Sequence, residues 1–374
     1  MTNEVEARVV ETIRAEGPMT FARFMAMALY QPGAGYYSAG PERTGWRGHY
    51  LTSPELDPAF GELWAHAFEQ VWDQLGRPDR FDVVEVGPGE GGFAQAVLAG
   101  VGERPFGRAL AYRLVEPQSA LEERQRARLA GYQNVSWSAS LEEVPQTEQG
   151  CVMANEVLDN LPVHVIERHD GAIREVYVDE RDGDLRAVLG DPSTPEIEAY
   201  LERVGVKVPE GSRFEVGLEA EALARTTADK IRWGAVIFVD YGDEAAALAK
   251  QRLGTLVCYS GAGTDDQPLE RPGEKDITVF VDWSGIRKMF DLAGLTSVGP
   301  LQQRSVLVTL GLKDLDTKLQ EDHRRAVADG RGADAVRALS RRQAIGVLAD
   351  PGGLGGLQVM FGLKEMSPPP FMRP

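Results

Sequence analysis

A strand, a glycine-rich turn and a helix follow one another at residues 81–98, and they constrain this chain more than any other stretch. Residues 83–86 are β-branched except for Glu85, four of the next six residues are glycine, and residues 93–98 have helix-forming composition. In this order, backbone N–H groups at the start of the helix face outward, and the glycines let a ligand approach the backbone. The stretch therefore predicts a ligand-binding turn at the carboxyl end of a parallel strand.

The residues around the turn narrow the choice of ligand. Gly87, Gly89 and Gly92 fit the dinucleotide pattern G-x-G-x-x-G, which is a weak signal by itself. Glu85 suits a ligand with a positive ammonium group better than a pyrophosphate. An acid-x-Gly-x-Gly-x-Gly pattern resembles the first motif of Rossmann-like S-adenosylmethionine (SAM) methyltransferases; here it comprises Glu85, Gly87, Gly89 and Gly91. The alternative is an ordinary strand-to-helix turn.

A second acid follows at the end of the next predicted strand, residues 109–115. Glu116 lies about 20–30 residues after the turn, where an acid can accept hydrogen bonds from both ribose hydroxyls of a cofactor. The alternative is a charge at the N-terminus of the helix expected at 117–130. Because NAD would accept the same layout, Glu116 alone does not separate the two cofactors.

Polar residues also end the fourth predicted strand, residues 150–155. In an open parallel sheet, ligands bind beyond the carboxyl ends of the strands, so Asn155, Glu156 and Asp159 should face the same crevice as the turn. Asn155 offers an amide donor and acceptor, while Glu156 and Asp159 would orient an amine or guanidinium nucleophile. We predict that all three are catalytic and that Asn155 also binds the cofactor. The alternative is that Asn155 and Asp159 cap turns.

The segment Thr52-Ser53-Pro54-Glu55 has two interpretations. Thr52 and Glu55 have the spacing of a capping box, which would only begin the helix expected at about 58–76. Alternatively, the hydroxyls of Thr52 and Ser53 bind the cofactor as part of an N-terminal lid.

Composition limits the partners. The net charge of −17 argues against non-specific nucleic-acid binding, and it suits a basic partner, although solubility alone would also explain it. Two cysteines and scattered histidines indicate neither a disulfide framework nor a metal site. The chain has no run of ~20 apolar residues and no targeting stretch at its N-terminus, so we expect a cytoplasmic protein without a membrane span.

The order of patterns predicts an α/β protein with four regions. They are an N-terminal helical lid or substrate region (1–78), the cofactor-binding half of a Rossmann-like core (79–162), an inserted α+β region (163–230) and the C-terminal half of the core with helical additions (231–374). Within the last region we expect a long loop at 259–276 and two short strands at 295–310.

Motifs along the whole chain resemble the MidA-like (DUF185) family of SAM-dependent methyltransferases. The most specific are Thr52-Ser53-Pro54-Glu55 and the Asn-Glu…Asp…Leu-Pro-Val segment at 155–163. The others are Pro32-Gly33 with Gly35-Tyr36-Tyr37, Phe60-Gly61-Glu62, the glycine motif, Leu114-Val115-Glu116, Asp240-Tyr241-Gly242 and Asp276-Ile277-Thr278…Val281-Asp282.

The resemblance implies a class I SAM methyltransferase sheet with added N-terminal helices and an inserted substrate region. It implies SAM as cofactor and a protein substrate with a basic, arginine-containing segment, since the family's mitochondrial member dimethylates an arginine of a respiratory complex I subunit. It also favours the lid interpretation of Thr52 and Ser53. One departure leaves the substrate open: the family usually has Gly-Asp-Phe before this segment, and this chain has Gly48-His49-Tyr50.

Three other functions stay open from the sequence. They are a small-molecule methyltransferase on the same fold, a SAM-binding assembly factor without essential catalysis and, ranked last, an NAD-dependent oxidoreductase. The oligomeric state is also open, with a homodimer as one alternative.

Overall fold

The structure, a computed structural model, describes residues 3–38 and 52–373 of the 374-residue chain. The departure at Gly48-His49-Tyr50 lies outside the described residues. The chain divides into two compact units, each drawn from three separate segments. We call residues 1–50, 156–225 and 241–292 unit 1, and residues 51–155, 226–240 and 293–374 unit 2.

The α-helices of the described residues are α1 (Glu4–Glu16), α2 (Phe21–Tyr30), α3 (Ser53–Leu56), α4 (Ala59–Gln74), α5 (Gly92–Val101), α6 (Pro105–Ala109), α7 (Ser119–Arg128), α8 (Glu196–Val204), α9 (Leu218–Asp229), α10 (Ala245–Leu248), α11 (Trp283–Leu292), α12 (Gln303–Thr309), α13 (Leu312–Ala328) and α14 (Gly332–Leu348). Short 3-10 turns lie at Leu158–Asn160, Leu354–Gly356 and Pro370–Met372.

The strands are β1 (Met19–Thr20), β2 (Phe81–Val86), β3 (Leu110–Val115), β4 (Val135–Ser138), β5 (Thr147–Asn155), β6 (His164–His169), β7 (Ala172–Arg181), β8 (Asp184–Gly190), β9 (Arg213–Val216), β10 (Ile231–Asp240), β11 (Gly242–Asp243), β12 (Val257–Ser260), β13 (Gly263–Asp265), β14 (Asp276–Thr278), β15 (Val281–Asp282), β16 (Thr296–Gln302) and β17 (Gln358–Lys364).

Unit 2 is built on a seven-stranded sheet in the order β16-β17-β10-β5-β2-β3-β4. Its strands run parallel except β17, which is antiparallel to both of its neighbours. The central strands carry apolar runs, at residues 151–154 of β5 and 235–239 of β10, as expected of strands with both faces covered. The strand order reverses at β2, whose neighbours are β3 and β5, and this is where open α/β sheets bind their ligands.

Helices α4 and α5 pack closely in unit 2, and Gly61 makes this possible. A Cβ at Gly61 would lie 2.5 Å from the Cβ of Ala96, so a larger residue would force the two helices apart. Phe60 and Phe68 of α4 pack on Phe93 of α5, with ring centroids 5.5 and 6.4 Å apart. This contact fixes the helix that follows the glycine turn.

Unit 1 contains a five-stranded antiparallel sheet in the order β1-β7-β6-β9, with β8 paired to β7. The hairpins turn at Asp170-Gly171 and Asp182-Gly183, all with positive φ, as two-residue hairpin turns require. Asn3 is the N-cap of helix α1, because its side chain accepts a hydrogen bond from the Glu6 N–H.

Three expectations from the sequence need correction. Residues 295–310 form strand β16 and helix α12, not two strands. The expected loop at 259–276 contains the hairpin of β12 and β13 and the start of β14. Thr52 precedes the separate short helix α3, and its hydroxyl donates to the Glu55 carboxylate at 3.2 Å and caps no backbone N–H.

Candidate functional site

The glycine turn lies at the carboxyl end of β2, at the point where the strand order reverses. Gly87, Gly89 and Gly91 all have positive φ, which L side chains rarely adopt, and Gly91 is the N-cap of α5. A Cβ placed on Gly89 would meet no described atom within 4 Å. The turn is therefore shaped by its glycines and leaves space where a ligand can reach the backbone.

Glu85 lies in β2, two residues before the turn, and its side chain is buried. The Tyr112 hydroxyl, from the neighbouring strand β3, donates a 2.8 Å hydrogen bond to Glu85 Oε2. Burial raises the pKa of Glu85 to about 8, although the tyrosine hydrogen bond acts to lower that pKa. This carboxyl group has no cationic partner among the residues that the structure describes, and a bound cation would supply one.

Glu116 follows β3 and is buried as well. Its Oε1 accepts the backbone N–H of Gln118 at 2.8 Å, and its Oε2 accepts the side-chain Nε2 of Gln125 at 3.2 Å. Burial is again the main reason that the pKa of this carboxyl group rises, here to about 7. The two buried acids thus lie near the carboxyl ends of the neighbouring strands β2 and β3.

Gln125 connects the turn to Glu116, and sequence reasoning missed it. Its Nε2 donates to the Gly89 carbonyl oxygen at 2.7 Å as well as to Glu116, and its Oε1 accepts the Trp137 indole N–H at 3.1 Å. Gln125 is the buried residue of α7, an otherwise polar helix. A glutamine in such a helix carries no sequence signal, because its partners lie on other elements.

The N-terminal segment 52–55 lies beside the glycine turn within unit 2. Ser53 is fully buried and begins α3. The Pro54 carbonyl oxygen lies 3.8 Å from the position that a Cβ on Gly92 would take. The predicted lid residues Thr52 and Ser53 therefore adjoin the N-terminus of α5.

The predicted catalytic residues follow one another at the end of β5. Asn155 is the last residue of β5, in unit 2, and pairs in register with Val239 of β10. Glu156 belongs to unit 1 and has φ of 52°, an uncommon conformation that often marks functional positions. Asp159 lies in the 3-10 turn Leu158–Asn160, is buried, and accepts the Val279 N–H on its backbone oxygen.

A second acid of unit 1, Asp276, lies near this turn. Asn160 Nδ2 donates to Asp276 Oδ1 at 3.0 Å, and the Tyr37 hydroxyl lies 2.9 Å from the same oxygen. Burial, followed by the charges of Asp159 and Asp276, raises the pKa of Tyr259, so both acids act on one phenol. The Asp-Ile-Thr motif at 276–278 was visible in the sequence, but nothing there joined it to Asp159.

The cofactor edge of unit 2 fits a ligand with hydroxyls and a cationic group. The buried carboxyl group of Glu116 can accept hydrogen bonds from hydroxyls, and Glu85 lies two residues before the glycine turn. A pyrophosphate would bring negative charge toward Glu85, whereas an ammonium or sulfonium would favour its ionised form.

No helix in residues 3–38 and 52–373 is long and apolar enough to cross a membrane.

Comparisons with known proteins identify the family of this chain. Residues 63–301 match the model of a family described as S-adenosyl-L-methionine-dependent methyltransferases. A mouse protein named protein arginine methyltransferase NDUFAF7, mitochondrial, is 30% identical over 80% of this chain and 72% of its own length. The zebrafish protein of that name is also 30% identical, over 82% and 76%.

Solved structures show the same fold. A protein of Burkholderia thailandensis, crystallised with S-adenosyl-homocysteine, has a TM-score of 0.85 and 27% identity over 98% of this chain and 94% of its own. A native crystal structure from the same organism gives a TM-score of 0.82 at 26% identity, covering 98% and 93%.

Proposed function

The chain belongs to the family of S-adenosyl-L-methionine-dependent methyltransferases, and we propose that it transfers the methyl group of SAM to an arginine nitrogen in a protein. The observation that carries the choice of arginine is the 30% identity, over most of both chains, to relatives named protein arginine methyltransferases. Methyltransferase activity with SAM follows from the family.

The residues around the glycine turn have distinct proposed roles in holding the cofactor. Glu116 accepts hydrogen bonds from the ribose hydroxyls, and Gln125 fixes the orientation of that carboxylate. Glu85 balances the positive charge at the amino-acid end, while Gly87, Gly89 and Gly91 let the ligand lie against the backbone. Thr52, Ser53 and Asn155 complete the contacts, the first two from the N-terminal segment.

Glu156 and Asp159 are the proposed acceptor residues. When bound, SAM would supply an electrophilic methyl group on a sulfonium sulfur; transfer to an arginine nitrogen would release S-adenosyl-homocysteine and one proton from that nitrogen. The two carboxylates hold the guanidinium by charge-assisted hydrogen bonds and offset the positive charge that grows on its nitrogen. Most of the acceleration then comes from positioning the two reactants in line.

The charge of the chain supports a basic acceptor. With a net charge of −17, the protein would attract a segment rich in arginine and repel nucleic acid. A cytoplasmic location stays a prediction from the sequence, and fractionation of cells that express the chain would check it.

Labelled SAM tests the proposed function. The protein is incubated with methyl-labelled SAM and a cell lysate, and labelled proteins are digested for mass spectrometry. We expect a labelled protein band whose label is on arginine. A labelled metabolite without a labelled protein band would instead indicate a small-molecule methyltransferase. Absence of label from both fractions would support a protein that binds SAM without transferring its methyl group.

Asp159→Asn tests the acceptor role. Loss of one charge-assisted hydrogen bond, worth about 1.5–3 kcal/mol, should slow labelling roughly ten- to a hundredfold, while SAM affinity changes little. Asp170→Asn, at an exposed turn of unit 1 with φ of 51°, is the matched control and should label normally. A large loss of SAM affinity in Asp159→Asn with normal melting would move Asp159 to the cofactor side.

A further inference from the structure

Unit 2 holds a buried glutamine that the sequence patterns did not single out. Gln303, the first residue of α12, is 0% exposed. Its side-chain Nε2 donates to Ser53 Oγ at 3.1 Å and to the carbonyl oxygen of Leu354 at 2.8 Å. Because a carbonyl oxygen can only accept, the amide nitrogen must face Leu354, and the orientation of the amide oxygen is thereby fixed.

The amide oxygen, Gln303 Oε1, has no hydrogen-bond partner among the residues that the structure describes. A buried acceptor without a donor is costly, and a water, an ion or a ligand that donates to it would offset this cost. Gln358 Oε1 is also buried without a partner in residues 3–38 and 52–373. Gln358 begins β17 opposite Asp240, the last residue of β10, so this oxygen belongs to the carboxyl edge of the sheet.

Ser53 connects Gln303 to the segment beside the glycine turn. Ser53 begins α3, and the next residue, Pro54, places its carbonyl oxygen 3.8 Å from the Cβ position at Gly92 of α5. The side chain of Gln303 therefore reaches the same segment that adjoins the glycine turn, although 250 residues separate it from Ser53 in the chain.

We propose that Gln303 binds a ligand in the methyltransferase site: its Nε2 holds Ser53, and its Oε1 accepts a hydrogen bond from an N–H group of a bound molecule. The N–H group has two sources. One is the α-ammonium group of SAM, which S-adenosyl-homocysteine shares; the other is the guanidinium of the methyl acceptor, which carries five N–H donors. The second source rests on the proposed function, and the first does not.

A double-mutant cycle separates the Ser53 hydrogen bond from the other contacts of this amide, which are the Nε2 bond to the Leu354 carbonyl and the proposed bond at Oε1. Gln303→Met keeps the length of the side chain and removes both atoms, while Ser53→Ala removes the Oγ that accepts from Nε2. In the Ser53→Ala background, any further loss caused by Gln303→Met reports contacts other than the Ser53 hydrogen bond. Gln303→Glu keeps an acceptor oxygen and should recover part of the loss.

Two readouts distinguish the sources. If the donor is the ammonium group, Gln303→Met in the Ser53→Ala background should weaken S-adenosyl-homocysteine binding at least tenfold in calorimetry. If the hydrogen-bond donor is the guanidinium of the methyl-accepting protein, the affinity for S-adenosyl-homocysteine should not change. Half-maximal labelling should then need at least tenfold more lysate. Gln146→Met, at an exposed glutamine of unit 2, is the control for the substitution itself.

Unchanged cofactor binding together with unchanged labelling overturns the proposal, and so does a loss that Gln303→Glu does not recover at all. Thermal melting shows whether each variant folds, and if Gln303→Met does not, Gln303→Leu replaces it in the cycle. If the wild-type protein labels no protein, the proposed function fails independently. The affinity of the Gln303 variants for S-adenosyl-homocysteine then decides the role of Gln303. An affinity equal to that of the matching background without the Gln303 substitution overturns the proposal.

Discussion

In the proposed site, cofactor binding depends most directly on two buried carboxyl groups, Glu85 and Glu116. Burial raises their pKa values to about 8 and about 7, so at neutral pH a large fraction of Glu85 is protonated before any ligand binds. A cationic ligand favours the ionised form. Binding must therefore displace a proton, and this makes affinity depend on pH.

We expect S-adenosyl-homocysteine to bind more tightly as pH rises from 6 to 7.5, by up to about tenfold per pH unit. The reason is that each bound ligand releases a proton from Glu85 while that group is mostly neutral. Calorimetry in two buffers with different heats of ionisation measures both the affinity and the protons released. An affinity that stays flat over this window would contradict the assignment.

Two variants show which acid is responsible. Glu85→Gln should flatten the profile, and Tyr112→Phe should move it to higher pH because the lost hydrogen bond acts to lower the pKa of Glu85. The free energy of unfolding of the ligand-free protein should fall as pH rises, whereas the affinity for S-adenosyl-homocysteine should increase. A carboxyl pKa raised from 4.5 to about 8 by folding contributes stability below pH 4.5 that is lost as pH rises through 8.

Gln125 supports the site without being expected to touch the methyl group. Gln125→Met should lower the free energy of unfolding by about 1–3 kcal/mol, because it leaves the Gly89 carbonyl, Glu116 and the Trp137 indole without this partner. The orientation of Glu116 is then lost, and we expect about tenfold weaker S-adenosyl-homocysteine binding in calorimetry. Gln146→Met is the control, and equal effects of both substitutions would exclude a specific role.

Among the elements, the glycine turn and α5 form the part of the fold that the sequence predicts best. The local pattern of β-branched residues, glycines and helix formers determines a strand, a turn with positive φ and a helix without help from the rest of the chain. The turn also allows a test that separates backbone strain from ligand contact.

Gly89→Val should abolish cofactor binding while the protein remains folded. Gly102, at the C-terminus of α5, offers a control for backbone strain: its φ is 55° against 51° for Gly89, and a Cβ at either position meets no described atom within 4 Å. Its ψ of −146° lies in a region that essentially only glycine adopts, so Gly102→Val should cost at least the roughly 1–2 kcal/mol expected of a left-handed position. Calorimetry should show at least a hundredfold loss of S-adenosyl-homocysteine affinity for Gly89→Val alone, and equal affinities would place the ligand elsewhere.

The stretch at 303–310 shows where local patterns mislead. Its β-branched residues favour a strand, but the buried residues are Gln303, Val306, Leu307 and Leu310, which is the spacing of a helix face. Helix propensity is a weak preference that packing overrides. Contacts such as Gln303 with Ser53 join residues far apart in the chain, so no reading of nearby residues could find them.

The whole molecule consists of two units, each built from three segments of the chain, and it carries a large negative charge. Motif recognition identified the family because the motifs are distributed over both units. The charge has two explanations that the sequence did not separate, solubility and attraction of a basic acceptor. The two explanations predict different responses of protein labelling to salt concentration.

If the net charge of −17 attracts an arginine-rich acceptor, labelling should weaken as salt increases. The screening length falls from roughly 30 Å at 0.01 M to roughly 10 Å at 0.1 M, so a long-range attraction is lost over this interval. The concentration of acceptor needed for half-maximal labelling should rise several-fold, and the rate at saturation should change little. Binding of S-adenosyl-homocysteine, whose net charge is near zero, is the internal control. If both respond equally, or if neither responds, the negative charge serves solubility and the acceptor is recognised by close contacts alone.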